Sequence, residues 1–330
     1  MIPTLLSSPS ISCFYSRDSV DQLLRSNQTL AVVRFSSLQD IARDAKSATP
    51  ANFLSIPLPL LEDNDLKEVW RSTLAVSTGC NDGFAWAQTD DVLFVSYKIM
   101  GAEFSDVNRA TQHAYNGLLR FISDAGYPHI IRVWNYIPGI NVGAGNEERY
   151  KQFCYGRHQA FVNHNYPLGQ FPSACALGQQ DGSTTIYLIA AKQAGTHFEN
   201  PQQVSAYHYP REYGPKSPSF ARATLAGNQI YLSGTASIIG HESQYPDDLC
   251  KQIEVTLNNI DTLLQHIAQQ IDKPPPTMQL IKIYLRHPQY LAETRARVQA
   301  HFGDIPMMFL QADICREELL IEIEGLCTLQ

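Results

Sequence analysis

The succession strand, helix, strand, helix, strand, strand occurs twice along this chain. A layout of that length used twice predicts two copies of one module, not an array of short repeats. In the second half, "NQIYLSGTASI" alternates and is rich in β-branched and aromatic residues, the pattern of a strand. The next stretch, "DDLCKQIEVTLNNIDTLLQHIAQQI", places Ile253, Leu257, Ile260, Leu263, Leu264 and Ile267 at helical spacing, with Asp247 and Asp248 as cap candidates. Lys273 to Pro276 end that helix. A strand "MQLIKIYLR", a helix "PQYLAETRARVQAHF" and the strands "PMMFLQADI" and "ELLIEIEGL" complete the unit. The first half repeats the order through "DDVLFVSYKI", "DVNRATQHAYNGLLRFISDAG", "HIIRVWNYI", "EERYKQFCYGRHQAFV", "FPSACALG" and "TTIYLIAAK". Helical crossovers between strands predict an α/β (α+β) fold in which each copy has one sheet covered by two helices. The polar, Gly- and Pro-bearing "KQAGTHFENPQQ" marks the junction, giving an N-terminal unit over residues 1–195 and a C-terminal unit over 196–330. The first eighty or so residues are less regular and read as extra strands and loops flanking the first copy.

The chain's 330 residues suffice for two cores, and a net charge of −7 with no Lys/Arg run argues against a nucleic-acid binder. A few well-placed Arg residues still permit a small anionic substrate. The seven cysteines are scattered with no Cys-x-x-Cys, which fits free thiols in the cytoplasm. "MIPTLLSSPSISCFYSRD" lacks the pattern of a secretory leader, and no apolar run is long enough to span a membrane. With no His pair, Gly-x-Gly-x-x-Gly or Walker loop, no metal or cofactor is expected.

Three groups of residues stand out. In "LLIEIEGL", strand alternation puts Glu322 and Glu324 on one face and Ile321 and Ile323 on the other. The comparable strand of the first copy, "IYLIAA", offers Leu188 and Ala190, so one copy alone carries acids there. Solvated acids on an edge strand explain such a pattern as well as a pocket does. In "RYKQFCYGRHQAF", Tyr150, Cys154 and Arg157 share a helix face by i, i+4, i+7 spacing, so Tyr150 and Arg157 can reach one ligand. In "YGPKSPSFARATLAGNQIYLSGTAS", Pro215 and Pro218 stiffen a loop bearing Tyr213 and Arg222. Gly234 and Ala236 follow in the strand, where small residues leave room.

That last stretch, with "IKIYLR" and "IEIEG", resembles the RidA/YjgF family of enamine/imine deaminases over residues 204–326. Together with "YKQFCYGRHQAF", "QVSAYHYPREYGPKSPSFARA", "SGTASIIGHES" and "ADICREELLIEIEG", it resembles the chorismatase family over about residues 90–326. The resemblance implies two RidA/YjgF-like modules packed together as a pseudo-duplicated pair. It implies chorismate as substrate, pyruvate as one product, and a hydroxybenzoate or dihydroxycyclohexadiene carboxylate as the other.

By resemblance, Glu322 is the acid that protonates the enol-pyruvyl methylene, with Glu324 as the alternative. That chemistry needs a carboxyl kept neutral near pH 7. The substrate's two carboxylates call for Arg157 and Arg222, with Tyr150, Tyr209 and Tyr213 as hydroxyl partners. Cys315 is implied to be typical of members forming 3-hydroxybenzoate, whereas Ala236 departs from the Gly usual in that type. The expectation is therefore a 3-hydroxybenzoate synthase, with some 4-hydroxybenzoate also allowed. The hydrolytic chorismatase, a RidA-like imine hydrolase and a non-catalytic binder stand as alternatives. The RidA reading lacks its key Arg, whose place falls at Met308. Single RidA modules need neighbours to complete a site; two modules in one chain predict a monomer with one site.

Overall fold

The computed structural model describes residues 11–38, 49–62, 65–101, 106–180 and 182–329. Residues 1–10, where most of the stretch read for a leader falls, lie outside them.

The N-terminal region is more ordered than its sequence suggests. Strands β1 (Ile11–Ser16), β2 (Thr29–Phe35), β3 (Phe53–Ile56) and β4 (Lys67–Ser72) form a sheet in the order β1-β4-β2-β3, with a short helix α1 (Val20–Leu24) on one face. It escapes periodicity because β2 and β4 are buried on both faces and show no alternation.

Each predicted module is a six-stranded mixed sheet. The first comprises β5 (Ser77–Asn81), β6 (Phe84–Gln88), β7 (Val92–Ile99), helix α2 (Val107–Asp124), β8 (His129–Pro138), helix α3 (Arg149–Asn163), β9 (Ser173–Gln179) and β10 (Thr184–Ala191). Its strand order is β5-β6-β7-β10-β8-β9. The second comprises β11 (Thr196–Phe198), β12 (Ala223–Ala226), β13 (Gln229–Ala236), a ribbon of β14 (Ile238–Ile239) and β15 (Glu242–Ser243), helix α4 (Leu249–Ile271), β16 (Thr277–Leu285), helix α5 (Leu291–Phe302), β17 (Met307–Gln311) and β18 (Ile321–Thr328). Its order, β11-β12-β13-β18-β16-β17, is the same arrangement. The strands joined by α3 and by α5 pair in parallel, and the remaining pairs are antiparallel. The two lead-in strands of each sheet were not in the predicted pattern. β5 is exposed along most of its length, and β11 has only three residues.

Asp106 and Asp248 cap α2 and α4, accepting the backbone N–H of Arg109 and Lys251 at 3.0 and 3.1 Å. α4 buries Ile253, Leu257, Ile260, Leu263, Leu264 and Ile267, the residues picked out by spacing. They pack with Ile281, Ile283, Ile321 and Ile323 to close the helix side of the second sheet.

The opposite faces of all three sheets meet in one core that includes Phe35, Trp70, Trp134, Tyr136, Tyr187, Tyr231, Tyr284 and Leu310. Trp70 of the small sheet lies edge-on to Trp134 of the first module at 5.9 Å and stacks on Tyr231 of the second at 6.1 Å. The sheet edges also touch. Gln311 N–H donates to Pro59 O at 2.9 Å, and the backbone N–H groups of Ser173 and Ala174 donate to Thr224 Oγ1 at 2.9 Å and Ser233 Oγ at 2.8 Å. The small sheet therefore acts as a third wall against the two modules.

This arrangement corrects the comparison made with the first copy. Leu188 and Ala190 face α2 and α3, not the common core. Tyr284 and Tyr136 meet across the core at 3.0 Å, pairing with Glu322 and Thr185; Lys282 and Trp134 pair with Glu324 and Tyr187. The counterparts of the two acids are thus Thr185 and Tyr187. The sequence comparison was one residue out, and one residue reverses the face of a strand.

Candidate active site

A cavity of about 310 Å³ opens where the start of α3, the segment 209–222, the end of β13 and the segment 315–322 converge. Its walls include Tyr150, Tyr209, Tyr213, Arg222, Ala236, Cys315 and Glu322, so seven of the eight residues singled out from sequence are brought together.

Arg157 is not among the residues lining it. It is 4% exposed, with its guanidinium over the rings of Tyr115 at 5.2 Å and Phe161 at 5.4 Å. The i, i+4, i+7 spacing places both residues on one face of α3 but at different heights along it. Seven residues advance about 10 Å, so Tyr150 at the first turn reaches the cavity while Arg157 stays in the helix-side core. The cations that do line the cavity are Arg222, Arg316 and Lys151. Arg316 was not singled out, although it directly follows Cys315. Its guanidinium stacks on Tyr213 at 4.0 Å and donates to His241 O at 2.9 Å and Ser243 Oγ at 3.0 Å.

Arg222 is 4% exposed and donates through Nη2 to Tyr209 Oη at 2.8 Å and Val204 O at 3.1 Å. Its Nε is buried with no protein acceptor. An unsatisfied guanidinium N–H on a residue lining a cavity is a donor that a ligand can satisfy. Tyr213 Oη lies 3.3 Å from His241 Nδ1. Gly214 follows with φ 138, a conformation that suits glycine at the bend before Pro215.

Two residues, half-buried Arg286 and buried Gln252, hold the segment leading into Glu322. Arg286, at the end of β16, donates to the carbonyls of Ile314 at 3.1 Å, Arg316 at 2.9 Å and Leu319 at 2.9 Å. Gln252 of α4 donates to Glu318 O at 2.9 Å and accepts the N–H of Leu320 at 2.8 Å. The first turn of the segment is thereby wrapped around one guanidinium, and its end is pinned to a helix.

Glu322 is 4% exposed, between Ala236 and Tyr284 on neighbouring strands. Its Oε1 is buried without a hydrogen-bond partner. The carboxyl lies against Gly234, in the irregular stretch between Leu232 and Thr235 where β13 loses register with β18. Burial pushes its pKa up to about 8; the Glu324 charge adds to the rise, and Arg132 and Arg222 oppose it. Glu322 is accordingly a neutral acid at pH 7.

Glu324, two residues on, has the opposite character. Burial disfavours its charge, but Lys282 at 2.8 Å, Arg132, and Trp134 Nε1 at 2.9 Å hold it down to about 2. It is a fixed anion and has no proton to give at neutral pH. Sequence reasoning missed this cluster. Its signal was charged residues on three strands rich in apolar and aromatic residues: Arg132, Lys282 and, beside Glu322, Glu324.

Cys315 lines the cavity, and burial together with Glu322 pushes its thiol up to about 12, so it stays protonated at neutral pH. Met308, where the RidA-like reading needs an Arg, is 1% exposed in the three-sheet core.

The family model described as "Chorismatase FkbO/Hyg5-like, N-terminal" matches residues 68–190. A 3-hydroxybenzoate synthase of Streptomyces hygroscopicus is 35% identical over 274 residues, covering 78% of this chain and 80% of that protein. A chorismatase of Streptomyces rapamycinicus is 32% identical, covering 80% of this chain and 83% of that protein. Among solved structures, a chorismatase superposes with a TM-score of 0.85 at 28% identity, covering 98% of this chain and all of that one.

Proposed function

The chain belongs to the chorismatase family, and on that premise we propose that it converts chorismate to 3-hydroxybenzoate and pyruvate, with Glu322 as general acid. The observation that carries the reading is a buried carboxyl with an unpartnered oxygen in the wall of a cavity that also presents cations, where burial favours its neutral form.

Glu322 gives its proton to the enol-pyruvyl methylene carbon, using the electron pair of the C=C bond. The ring carbon–ether oxygen bond then breaks, and its electrons complete the carbonyl of pyruvate. The neighbouring ring hydroxyl oxygen bonds to the carbon left behind, and its proton returns the site to the starting protonation state. Loss of a ring C–H proton and opening of the strained C–O bond give the phenol. No water is consumed. The free Nε of Arg222 and the side chains of Arg316 and Lys151 supply donors for the two substrate carboxylates, replacing the pair first expected from Arg157 and Arg222. Tyr150, Tyr209 and Tyr213 line the same walls. Cys315 and Ala236 border the place of the ring, where the thiol's bulk excludes the water that the hydrolytic reaction would need.

The reading includes a monomer with one site. The inner faces of both modules are already covered by each other and by the small sheet, and the cavity draws on α3 of the first module and on β13 and β18 of the second. It also includes a division of the chain at residues 195/196, supported by the start of the last sheet at Thr196. Seven free cysteines suit a reducing compartment such as the cytoplasm, and no helix among the described residues is long and apolar enough to cross a membrane.

The test is incubation with chorismate and chromatography of the products, for wild type and Glu322→Gln. Wild type should yield 3-hydroxybenzoate and pyruvate in equal amounts. The variant should lose at least ~10²-fold in turnover while still binding a chorismate analogue. Dihydroxydiene acid as main product would assign the hydrolytic reaction, and near-normal turnover of the variant would remove Glu322 from the mechanism.

A further inference from the structure

We propose that Glu68, Lys282 and Glu324 are positioning residues for the acid: a buried, charge-balanced cluster at the junction of the three sheets fixes an anion beside Glu322 and so keeps its proton in place. This rests on Glu322 being the general acid, and it makes the N-terminal sheet part of the catalytic apparatus.

Each sheet contributes. Glu68 stands on β4 of the small sheet, Arg132 on β8 of the first module, and Lys282 and Glu324 on β16 and β18 of the second. Lys282 Nζ bridges Glu68 at 2.6 Å and Glu324 at 2.8 Å, and Arg132 pairs with the other oxygen of Glu324. Trp70 Nε1 donates to Glu68 at 2.8 Å. All four charged residues are at most 5% exposed. The rings of Phe35 and Trp134 lie 5.0 and 5.6 Å from the Lys282 ammonium, so apolar walls surround the charges. Two cations and two anions balance, and removing any one leaves a net buried charge.

Alternation puts Glu324 on the same strand face as Glu322, about 7 Å away. At that separation, with little solvent between, one charge is felt strongly by the other. The titratable and charged groups facing Glu322 are Glu324 on its own strand, Tyr284 on β16, Arg132 on β8, Arg222 before β12, Cys175 on β9 and Cys315 on the loop. Glu324 opposes ionisation of Glu322 while it is charged; Arg132 and Trp134 hold that charge beside Lys282, so loss of Glu68 or Lys282 changes the net charge near Glu322 without discharging Glu324.

The signs give a test that packing alone does not mimic. Glu68→Gln leaves an excess positive charge, which favours ionised Glu322, so the alkaline fall of kcat moves to lower pH. Lys282→Met leaves an excess negative charge and moves it to higher pH. Each shift should reach about half a pH unit or more, and the charge-neutral double variant should return close to wild type. Carbon-13 NMR of protein labelled at the Glu carboxyl carbons follows the same titration without substrate, the Glu322 signal being the one lost in Glu322→Gln. Opposed shifts with recovery in the double variant support the proposal. An unmoved limb and an unmoved signal in Glu68→Gln and Lys282→Met, with Glu322→Gln inactive, overturn it while sparing the acid. An active Glu322→Gln overturns the acid itself. If Lys282→Met does not fold, the direction of the Glu68→Gln shift decides alone.

Discussion

Gly234→Ala separates the position of the acid from its presence. The substitution leaves Glu322 and the anchoring side chains chemically unchanged; it adds one methyl where the Glu322 carboxyl now rests. That methyl would overlap Oε1 and stand 2.5 Å from Cδ and 3.1 Å from Cγ. Relaxed contacts between such atoms are about 3.5 Å, so Cδ has to retreat by about 1 Å and Oε1 by more than that. The strand fixes the Glu322 backbone through its pairing with β13 and β16, and the side chain therefore takes up the change. Overpacking of this kind costs about 1–3 kcal/mol, leaving the protein folded. A misplacement of about 1 Å at a reacting group costs on the order of 10²-fold in rate. The expected result is a cooperative thermal melt at slightly lower temperature, kcat down by about 10²-fold, and KM nearly unchanged because Arg222 and Arg316 are untouched. Pyruvate release, followed by coupling to lactate dehydrogenase, measures the rate, and circular dichroism checks the fold. A folded variant with near-normal kcat would refute the reasoning, since the carboxyl would then not need the place it occupies.

Glu322→Gln should alter stability as well as rate. The folded-state pKa of about 8 lies above the unfolded value, so the contribution of Glu322 is fully favourable below about pH 4.3 and is lost as pH rises towards 8. The variant, which cannot ionise, should be more stable than wild type by about 3 kcal/mol at pH 7, with the two melts converging near pH 4. Cys315→Ala should open the cavity beside Ala236 to water and shift product from hydroxybenzoate towards the dihydroxydiene acid, read by chromatography at matched conversion. An unchanged product ratio with a lower rate would reduce Cys315 to packing. Sedimentation at micromolar concentration should give a monomer, and an obligate trimer would contradict the covered inner faces.

Much of the architecture is legible in the sequence because it rests on local period. The helical spacing from Ile253 to Ile267, the capping acid at Asp248 and the alternation in "IEIEG" each report local structure without knowledge of a partner. The duplicated order then follows from reading the halves side by side. Glu322 was visible as an acid on a strand face, and the chorismatase motifs gave it a role. Partners distant in sequence were not visible. Glu322 and Glu324 are equivalent by alternation, yet one is neutral and the other a fixed anion, because Lys282 and Arg132 reach only Glu324 closely. Arg157 and Arg316 are equally plausible anchors by residue type, and only the rise of α3 and the wrap of the 313–319 segment around Arg286 separate them. The sequence by itself determined two modules, their helix-facing cores and the candidate acid, since those depend on neighbours a few residues apart. Tertiary structure alone decided which acid keeps its proton and which arginine meets the cavity, because burial and charge pairing come from strands that meet only after the three sheets close on one another.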